Sequence, residues 1–236
     1  MILHGITLTP AYITLDEGAT SNSVISDAVS AGGSTDVKLT RTLTGGMYNT
    51  ICLPFAVSAD ELNRVFGEGN VKKLSSSTLA GDVLDIALEE VTSMEAGKPY
   101  LVKPAANIVD PKFFNVEVTA STPVEVKEGP TTFKGTFIKS EIPASENNLF
   151  LGPNNTLYFP EVTAQPIKGL RGWFEVVVPG GVQSIKHARI VEQENKETAV
   201  DLIESENNKA QKVFVNGQLL IVKDGVQYNT LGIRVK

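Results

Sequence analysis

The sequence predicts an all-β protein, an antiparallel β-sandwich of the immunoglobulin-like or jelly-roll-like type, and three observations support this fold class. Val, Ile and Thr make up roughly a quarter of the residues, and their β-branched side chains suit a half-buried pleated surface. Short runs of alternating apolar and polar residues recur between turn signals. Strand-like and helix-like segments do not alternate regularly, as they would around a parallel sheet. We therefore expect about ten short strands, one short helix and a small C-terminal β-meander.

The strand pattern is clearest in short segments bounded by turn residues. In Val37–Leu43, apolar residues occupy every second position, and Arg41 is the exception. A weaker helical pattern covers Ser23–Val29 and predicts one helical turn there. The predicted strands are Val37–Leu43, Met47–Phe55, Leu84–Glu89, Phe114–Val118, Phe133–Phe137, Tyr100–Lys103, Val124–Lys127, Asn148–Leu151, Thr156–Phe159, Leu170–Val178 and Ile185–Val191.

One helix is predicted by a capping box over Ser58-Ala59-Asp60-Glu61. In this motif the Ser58 hydroxyl accepts a hydrogen bond from the Glu61 amide, and the Glu61 carboxylate reaches back to the Ser58 amide. An apolar stripe at i, i+3 and i+4 begins at Leu62. Gly67 stands where a left-handed C-cap belongs. The predicted helix spans 58–66 and packs its stripe on an edge or end of a sheet.

The composition changes near Glu192–Lys209, which is polar and acidic. We expect a β-sandwich domain over 1–198, followed by a linker and a small β-hairpin module over 199–236. Within this module, Asn216-Gly217 and Asp224-Gly225 lie between β-rich runs. Both dipeptides favour type I′ turns, which makes them strong hairpin signals.

The overall charge argues against a nucleic-acid partner, and the hydropathy argues against a transmembrane segment. The formal net charge is −6 and the pI is near 5.1. Binding of nucleic-acid phosphates requires clustered Lys and Arg, so we expect no nucleic-acid partner. No apolar run approaches the ~18 residues that a transmembrane helix needs, so we expect no transmembrane segment.

The residues that usually hold metals are scarce. Cys52 is the single cysteine, which excludes an intramolecular disulfide and a cysteine-based metal site. It lies in an apolar run and is predicted to be a small core residue. His4 and His187 are far apart in sequence, and neither has a partner at ligand spacing. We therefore expect no metal site and no cofactor.

Signals for catalysis are also lacking. The sequence contains no Gly-x-Ser-x-Gly nucleophile elbow. Glu89 and Glu90 are consecutive and point to opposite faces of a strand, so they cannot act together as a general acid and base. We assign no catalytic residue and expect that the protein is not an enzyme.

Arg171, Trp173 and Glu175 form the candidate ligand-binding group. They alternate with core positions in Leu170–Val178, so the strand period places all three on the other face. An exposed Trp beside Arg and Glu can serve as a platform on which a sugar ring stacks. In the alternative interpretation, which the sequence favours, Trp173 packs under the C-terminal meander or the N-terminal segment.

Four stretches occur together in an order that resembles a known group of proteins. They are Tyr48–Phe55, Ala96–Pro104, Leu170–Phe174 and Tyr228–Val235. The order resembles secreted or surface-attached β-sandwich proteins of gut Bacteroidetes, most of them uncharacterised in function. The C-terminal stretch also looks like the start of C-terminal sorting modules of that phylum.

The resemblance implies an extracytoplasmic setting, on the cell surface or secreted, with the signal peptide absent from this chain. It also implies a non-enzymatic role in adhesion, glycan binding or envelope architecture, with an extracellular glycan or surface protein as partner. It carries over no catalytic residue. The alternatives are a carbohydrate-active enzyme or its accessory module, and a subunit of a larger assembly. Solvent-facing carboxylates about 5–10 Å apart in a groove would favour the enzyme.

Overall fold

The all-β fold class is confirmed by the computed structural model. It describes residues 12–160, 163–178 and 185–192, together with the backbone of 211–215, 218–223 and 226–228. Strands account for 49% of the structure. The chain divides into two compact units, Met1–Asn195 and Lys196–Lys236.

Short strands make up most of the first unit. In chain order its helices and strands are β1 Ile13–Asp16, α1 Ser23–Ala31, β2 Ser34–Thr40, β3 Thr42–Leu43, β4 Asn49–Cys52, α2 Ala59–Phe66, β5 Val71–Ala80, β6 Val83–Glu90, β7 Pro99–Val102, β8 Ile108–Val109, β9 Lys112–Glu117, β10 Val126–Glu128, β11 Thr131–Thr136, β12 Ser140–Ile142, β13 Asn148–Leu151, β14 Leu157–Tyr158, β15 Gln165–Ile167, β16 Arg171–Val176 and β17 His187–Glu192. A 3₁₀ turn, Pro153–Asn155, lies between β13 and β14. The strands of the second unit are β18 Gln211–Val215, β19 Gln218–Lys223 and β20 Val226–Tyr228.

Two five-stranded sheets build much of the first unit. We name them the β16 sheet, with strand order β10-β11-β16-β13-β14, and the β5 sheet, with order β17-β6-β5-β7-β4. Their inner faces share one hydrophobic cluster, in which the Phe133 and Phe174 rings stack at 4.3 Å. Burial of these apolar side chains is the main favourable contribution to folding. The β5 sheet supplies Leu74, Leu84, Ile86, Leu88 and Leu101 to this cluster.

A pair of glycines lies where β4 and β7 meet the β16 sheet. Gly135 of β11 and Gly172 of β16 are directly opposite in the ladder. A Cβ atom on Gly135 would overlap Cys52 Sγ, and one on Gly172 would lie 3.3 Å from Pro99 Cβ. The missing side chains therefore permit this close approach. Cys52 is fully buried, as predicted for a core residue, and its thiol donates to the Gly97 carbonyl at 3.1 Å.

The predicted helix is confirmed as α2, and its N-cap is as expected. Ser58 Oγ accepts a hydrogen bond from the Glu61 amide at 3.4 Å, and Gly67 follows the last turn with φ 84°. The Glu61 carboxylate does not reach back, however. It pairs with Arg64 and accepts a hydrogen bond from the Phe114 amide at 2.7 Å, which ties the helix to β9.

The prediction of one helix was incomplete. The described residues contain a second α-helix, α1, where the sequence predicted only a turn over Ser23–Val29. The N-cap residue Asn22 is of a type favoured at that position, but its side chain makes no capping hydrogen bond to the helix. Ile25 is buried in the core, and this tertiary contact supports the helix instead.

The alternation predicted for Phe114–Val118 was wrong at its first residue. Asn115 has φ 52°, and the pairing of β9 with β2 shifts register nearby. This irregularity interrupts the alternation of inward and outward side chains along β9. As a result Phe113 and Val116 are buried, whereas Phe114 is 39% exposed.

The sheets are mostly antiparallel, as predicted, with two exceptions among the described strands. β1 pairs in parallel with β2, and β17 pairs in parallel with β6. Helix α1 connects β1 to β2, which provides the crossover that a parallel pair requires. The β17–β6 pairing depends on contacts between segments distant in sequence, and the β1–β2 pairing depends on the helix α1, where the sequence predicted only one helical turn.

The second unit contains an antiparallel three-stranded meander, β18-β19-β20. These are the strands that the two hairpin signals predict. The turn residues 216–217 and 224–225 lie outside the described residues, as do the linker residues 193–210 and the final segment 229–236.

The end of β17 is held by Glu192, which contacts β5, the residue after β7 and the residue before β4. Its carboxylate accepts hydrogen bonds from the Tyr48 hydroxyl and from Lys72 Nζ at 2.9 Å, and Lys103 Nζ lies 3.7 Å away. The hydrogen bond from Tyr48, followed by that from Lys72, lowers the pKa of Glu192 from 4.5 to about 2.

This ion-pair cluster predicts an acid-dependent loss of stability. Because the folded state lowers the pKa of Glu192, its contribution is complete above about pH 4.5 and is lost as the pH falls through about 2. Since the side chain is 47% exposed, solvent screening limits the contribution to about 1 kcal/mol.

The measurement is the free energy of unfolding of the wild type and of Glu192→Gln, from denaturant titrations between pH 6 and pH 2. Other carboxyls titrate in the same range, so the informative quantity is the difference between the two proteins. We expect the wild type to be the more stable at pH 6 and the difference to shrink toward pH 2. A difference that is constant with pH would contradict the assignment.

Candidate functional site

The three predicted site residues lie on one face of β16. Burial alternates along this strand: the three site residues are partly exposed, whereas Phe174 and Val176 are buried in the core. Trp173 therefore points away from the core shared by the two five-stranded sheets, and its side chain remains accessible in part.

Two further aromatic residues lie on the same outward face. β13 pairs with β16 in a register that places Leu149 opposite Phe174, and Phe150 follows this last pair on the strand next to that of Trp173. Phe150 in turn pairs with Tyr158 of β14, and their rings stack at 5.8 Å with 27° between the planes. We name this row of rings, Trp173, Phe150 and Tyr158, the aromatic face.

The outer ring of this row is the most exposed. Tyr158 is 43% exposed and lies against Gly152, where a Cβ atom would overlap the ring. The absence of a side chain at Gly152 therefore lets the phenol lie against the backbone. Phe150 and Tyr158 were not among the site residues predicted from the sequence. Both fall in predicted strands, and the alternation along those strands could have predicted that their side chains point outward. It could not have predicted that their strands lie next to the strand of Trp173.

A cation borders the aromatic face on the other side. Lys134 of β11 lies directly opposite Trp173 and forms ion pairs with Glu175 and, at 3.4 Å, with Glu125. The hydrogen bond to Glu175 is the main cause of the raised pKa of Lys134. Glu175 is thus neutralised by its neighbour and is not a free carboxylate.

A cleft of about 280 Å³ opens beside the aromatic face. Its lining includes Phe150, which also belongs to the aromatic face, and the polar side chains of Thr50, Gln165, Lys168 and Arg171. Through Phe150 and through Arg171, which shares a face of β16 with Trp173, the cleft and the aromatic face form one continuous surface. Convergence of a few polar groups on a concave, partly apolar wall is typical of ligand sites.

Behind this cleft, three cations surround one carboxylate. Glu17 follows β1 and is 13% exposed. It accepts hydrogen bonds from Lys168 Nζ at 2.7 Å and from Arg171 Nη2 at 2.6 Å, and Arg41 Nε lies 3.9 Å away. Burial alone would raise the pKa of Glu17, but the hydrogen bonds from Lys168 and Arg171 outweigh it and lower the pKa.

Arg41 is the exception in the predicted alternation, and it is nonetheless buried. It is 2% exposed and donates to the carbonyls of Leu170 at 2.5 Å and Thr50 at 2.7 Å. Burial, together with the neighbouring Arg171, lowers the pKa of Arg41 to about 9. Neither role was predicted from the sequence. A charged residue at an apolar position, such as Arg41, is more often an interruption of the pattern than a core residue, and the cationic partners of Glu17 are distant in sequence.

A second cleft, of about 230 Å³, is lined by Glu89, Glu95 and Glu128, and the first two of these carboxylates pair with Lys73 and Lys98.

Metal ligands and histidines are the remaining candidates in the part of the chain that the structure describes. No group of three His, Cys, Asp or Glu residues there is placed to hold a metal ion. His187 is exposed at the start of β17, and His4 lies outside the described ranges. Neither α1 nor α2 has the length and apolar character required to cross a membrane.

The carboxyl groups with shifted pKa values in the described ranges do not resemble a general acid. The pKa is lowered at Asp16, Glu17, Asp85 and Glu192. A general acid that works near neutral pH needs a raised pKa.

Comparison of the sequence with protein-family models finds no match, and neither does comparison with curated proteins or with solved structures.

Proposed function

We propose that this protein is a non-enzymatic, extracytoplasmic glycan-binding protein, acting in adhesion or envelope architecture, and that the aromatic face is its binding surface. The observation that carries the proposal is the row of Trp173, Phe150 and Tyr158 on adjacent strands, with Tyr158 43% exposed.

The row has the shape and chemistry that a sugar chain requires. Adjacent strands are about 4.8 Å apart, so three rings cover roughly 10 Å across the sheet. The face of an aromatic ring is electron-rich and attracts the partly positive C–H groups on the flat side of a pyranose. Lys134, Glu175 and Arg171 border the rings and can bind sugar hydroxyl groups.

The cellular setting and the detailed architecture are part of this proposal. The resemblance to surface proteins of gut Bacteroidetes supports an extracytoplasmic position. The packing of the β16 sheet on the β5 sheet supports a sandwich of the immunoglobulin-like or jelly-roll-like type.

The second candidate is a carbohydrate-active enzyme or its accessory module. A glycosidase requires a carboxylic acid with a raised pKa near the scissile bond. Glu175, the carboxylate nearest Trp173 on β16, is paired with Lys134. This pairing favours binding over catalysis.

The test compares two variants of the aromatic face with one matched control on a glycan array. Trp173→Ala and Tyr158→Ala should each lose most of the glycan retention of the wild type. Phe114→Ala, which removes a 39% exposed ring from β9, should retain it. Because Trp173 is partly exposed, we expect its removal to lower the free energy of unfolding by less than the ~3–5 kcal/mol of a fully buried aromatic residue.

Equal losses in all three variants would show that the aromatic face has no special role. A wild-type protein that retains no glycan would contradict the proposed function. If Trp173→Ala lowers the free energy of unfolding by the full ~3–5 kcal/mol of a buried aromatic residue, this result would support the interpretation in which Trp173 is packed.

A further inference from the structure

We propose that the cleft beside the aromatic face binds an oxyanion carried by a sugar, such as the carboxylate of a uronic acid or a sulfate ester, with Lys168 and Arg171 as its cationic contacts. This inference rests on the proposed function and names the class of glycan: acidic rather than neutral. Two observations carry it, the charge imbalance behind the cleft and the mixed lining of the cleft.

The charge imbalance is local. Arg41, Lys168 and Arg171 share Glu17 as their acidic partner within 4.0 Å. The adjacent residue Asp16 is exposed and accepts a hydrogen bond from the Gly18 amide at 2.8 Å, which is the main cause of its lowered pKa, and Lys168 also helps to lower that pKa. Even when Asp16 is counted, the group keeps an excess positive charge.

Part of this positive charge lies out of contact with water. Arg41 is 2% exposed, and its Nε atom and the Nε atom of Arg171 are buried without a hydrogen-bond partner. Burial of a guanidinium that shares its counter-charge with two other cations raises the free energy of the folded state, because little water stabilises the charge. An anion in the neighbouring cleft would lower this cost through a medium of low dielectric constant.

The two cations that line the cleft can reach a ligand. Lys168 is 60% exposed and Arg171 is 31% exposed. If Lys168 turns from Glu17 toward a ligand, Glu17 keeps its hydrogen bond to Arg171 and its proximity to Arg41. Arg171 and Lys168 donate charge-assisted hydrogen bonds, which are the strongest that an exposed site offers to an oxyanion.

The remaining lining favours a sugar-borne anion over a free inorganic ion. The exposed apolar part of the wall includes Phe150, whereas Ile142 and Ile167 beside it are buried, and the side chains of Gln165 and Thr50 are polar. An inorganic anion would leave the apolar wall uncovered. A sugar that stacks on the aromatic face covers it and carries its acidic group toward Arg171, which is two residues from Trp173 on the same face of β16.

The test uses the full chain on an array of neutral, uronic-acid and sulfated glycans at physiological salt. We expect acidic glycans to be retained in preference to neutral ones. Lys168→Gln should weaken retention of acidic glycans about tenfold, the effect of one charge-assisted hydrogen bond, and leave neutral glycans unaffected. The matched control is Lys186→Gln, which removes a 58% exposed lysine paired with Asp82 and should change neither.

The outcomes separate this inference from the proposed function. If neutral and acidic glycans are retained equally, or if Lys168→Gln and Lys186→Gln behave alike, the inference fails and the proposed function stands. If no glycan is retained, the proposed function fails. Comparison of retention on the uronic-acid glycans with retention on the sulfated glycans shows which oxyanion is preferred.

A second measurement tests the anion site without immobilised glycans. Sodium glucuronate should raise the midpoint of thermal unfolding of the wild type relative to glucose at equal ionic strength, and Lys168→Gln should reduce this shift. Equal midpoints in glucuronate and glucose would overturn the anion site whatever the array shows.

Discussion

Replacement of Arg41 with alanine is expected to lower the free energy of unfolding by about 3–5 kcal/mol, because it empties core volume and leaves two buried carbonyls without their donor. The side chain is 2% exposed and donates to two carbonyls, those of Leu170 and Thr50. These acceptors lie on two different segments, before β16 and within β4. Arg41 therefore holds together parts of the chain that are far apart in sequence.

The loss has two physical components. Truncation empties the volume of the side chain inside a packed core, and it deletes two charge-assisted hydrogen bonds. The measurement is equilibrium denaturant unfolding, and the matched control is Arg189→Ala. Arg189 is 68% exposed and paired with Asp85, so its removal should cost no more than about 1 kcal/mol. Equal losses in the two variants would show that burial adds nothing to the contribution of Arg41.

Replacement of Gly135 with alanine is expected to lower the free energy of unfolding by about 1–3 kcal/mol, the usual cost of overpacking a core. The added Cβ atom would overlap Cys52 Sγ, whose own position is fixed within β4. Neither strand can move freely, because β11 pairs with β16 and β4 pairs with β7.

The thiol provides both the control and the readout for this prediction. Cys52→Ala should partly restore the stability of Gly135→Ala, so the two substitutions should be strongly non-additive. In the wild type Cys52 is buried, and burial raises its pKa, so it should not react with a thiol reagent until denaturant is added. In Gly135→Ala we expect labelling at lower denaturant concentration. Simple additivity, or rapid labelling of the native wild type, would contradict the close contact.

The sequence predicted best those features that depend on neighbouring residues. The N-cap at Ser58, the C-terminal glycine of α2 and the alternation along β16 are all local, and the structure contains them. β5 was missed because its central residues are three consecutive serines, and its pairing with β6 shifts register between Leu74 and Ser76. A strand whose regular period is interrupted in this way gives only a weak local signal.

The candidate site was predicted in part for the same reason. Alternation along one strand was enough to place Arg171, Trp173 and Glu175 on a common face. It could not show that β13 lies beside β16, and so it could not place Phe150 on the strand next to that of Trp173. It also gave no reason to bury Arg41, because the partners that stabilise this guanidinium lie on other segments of the chain.

The sharing of Glu17 among three cations has a consequence for how diverging sequences should change. Loss of Glu17 alone would leave Arg41 buried without a counter-charge, so positions 17 and 41 should be replaced together or not at all. Lys168 is exposed and can be replaced without disturbing the core. Covariation between 17 and 41 would therefore mark descent within one fold, whereas variation at 168 would, under the proposed binding of acidic glycans, mark a change of ligand.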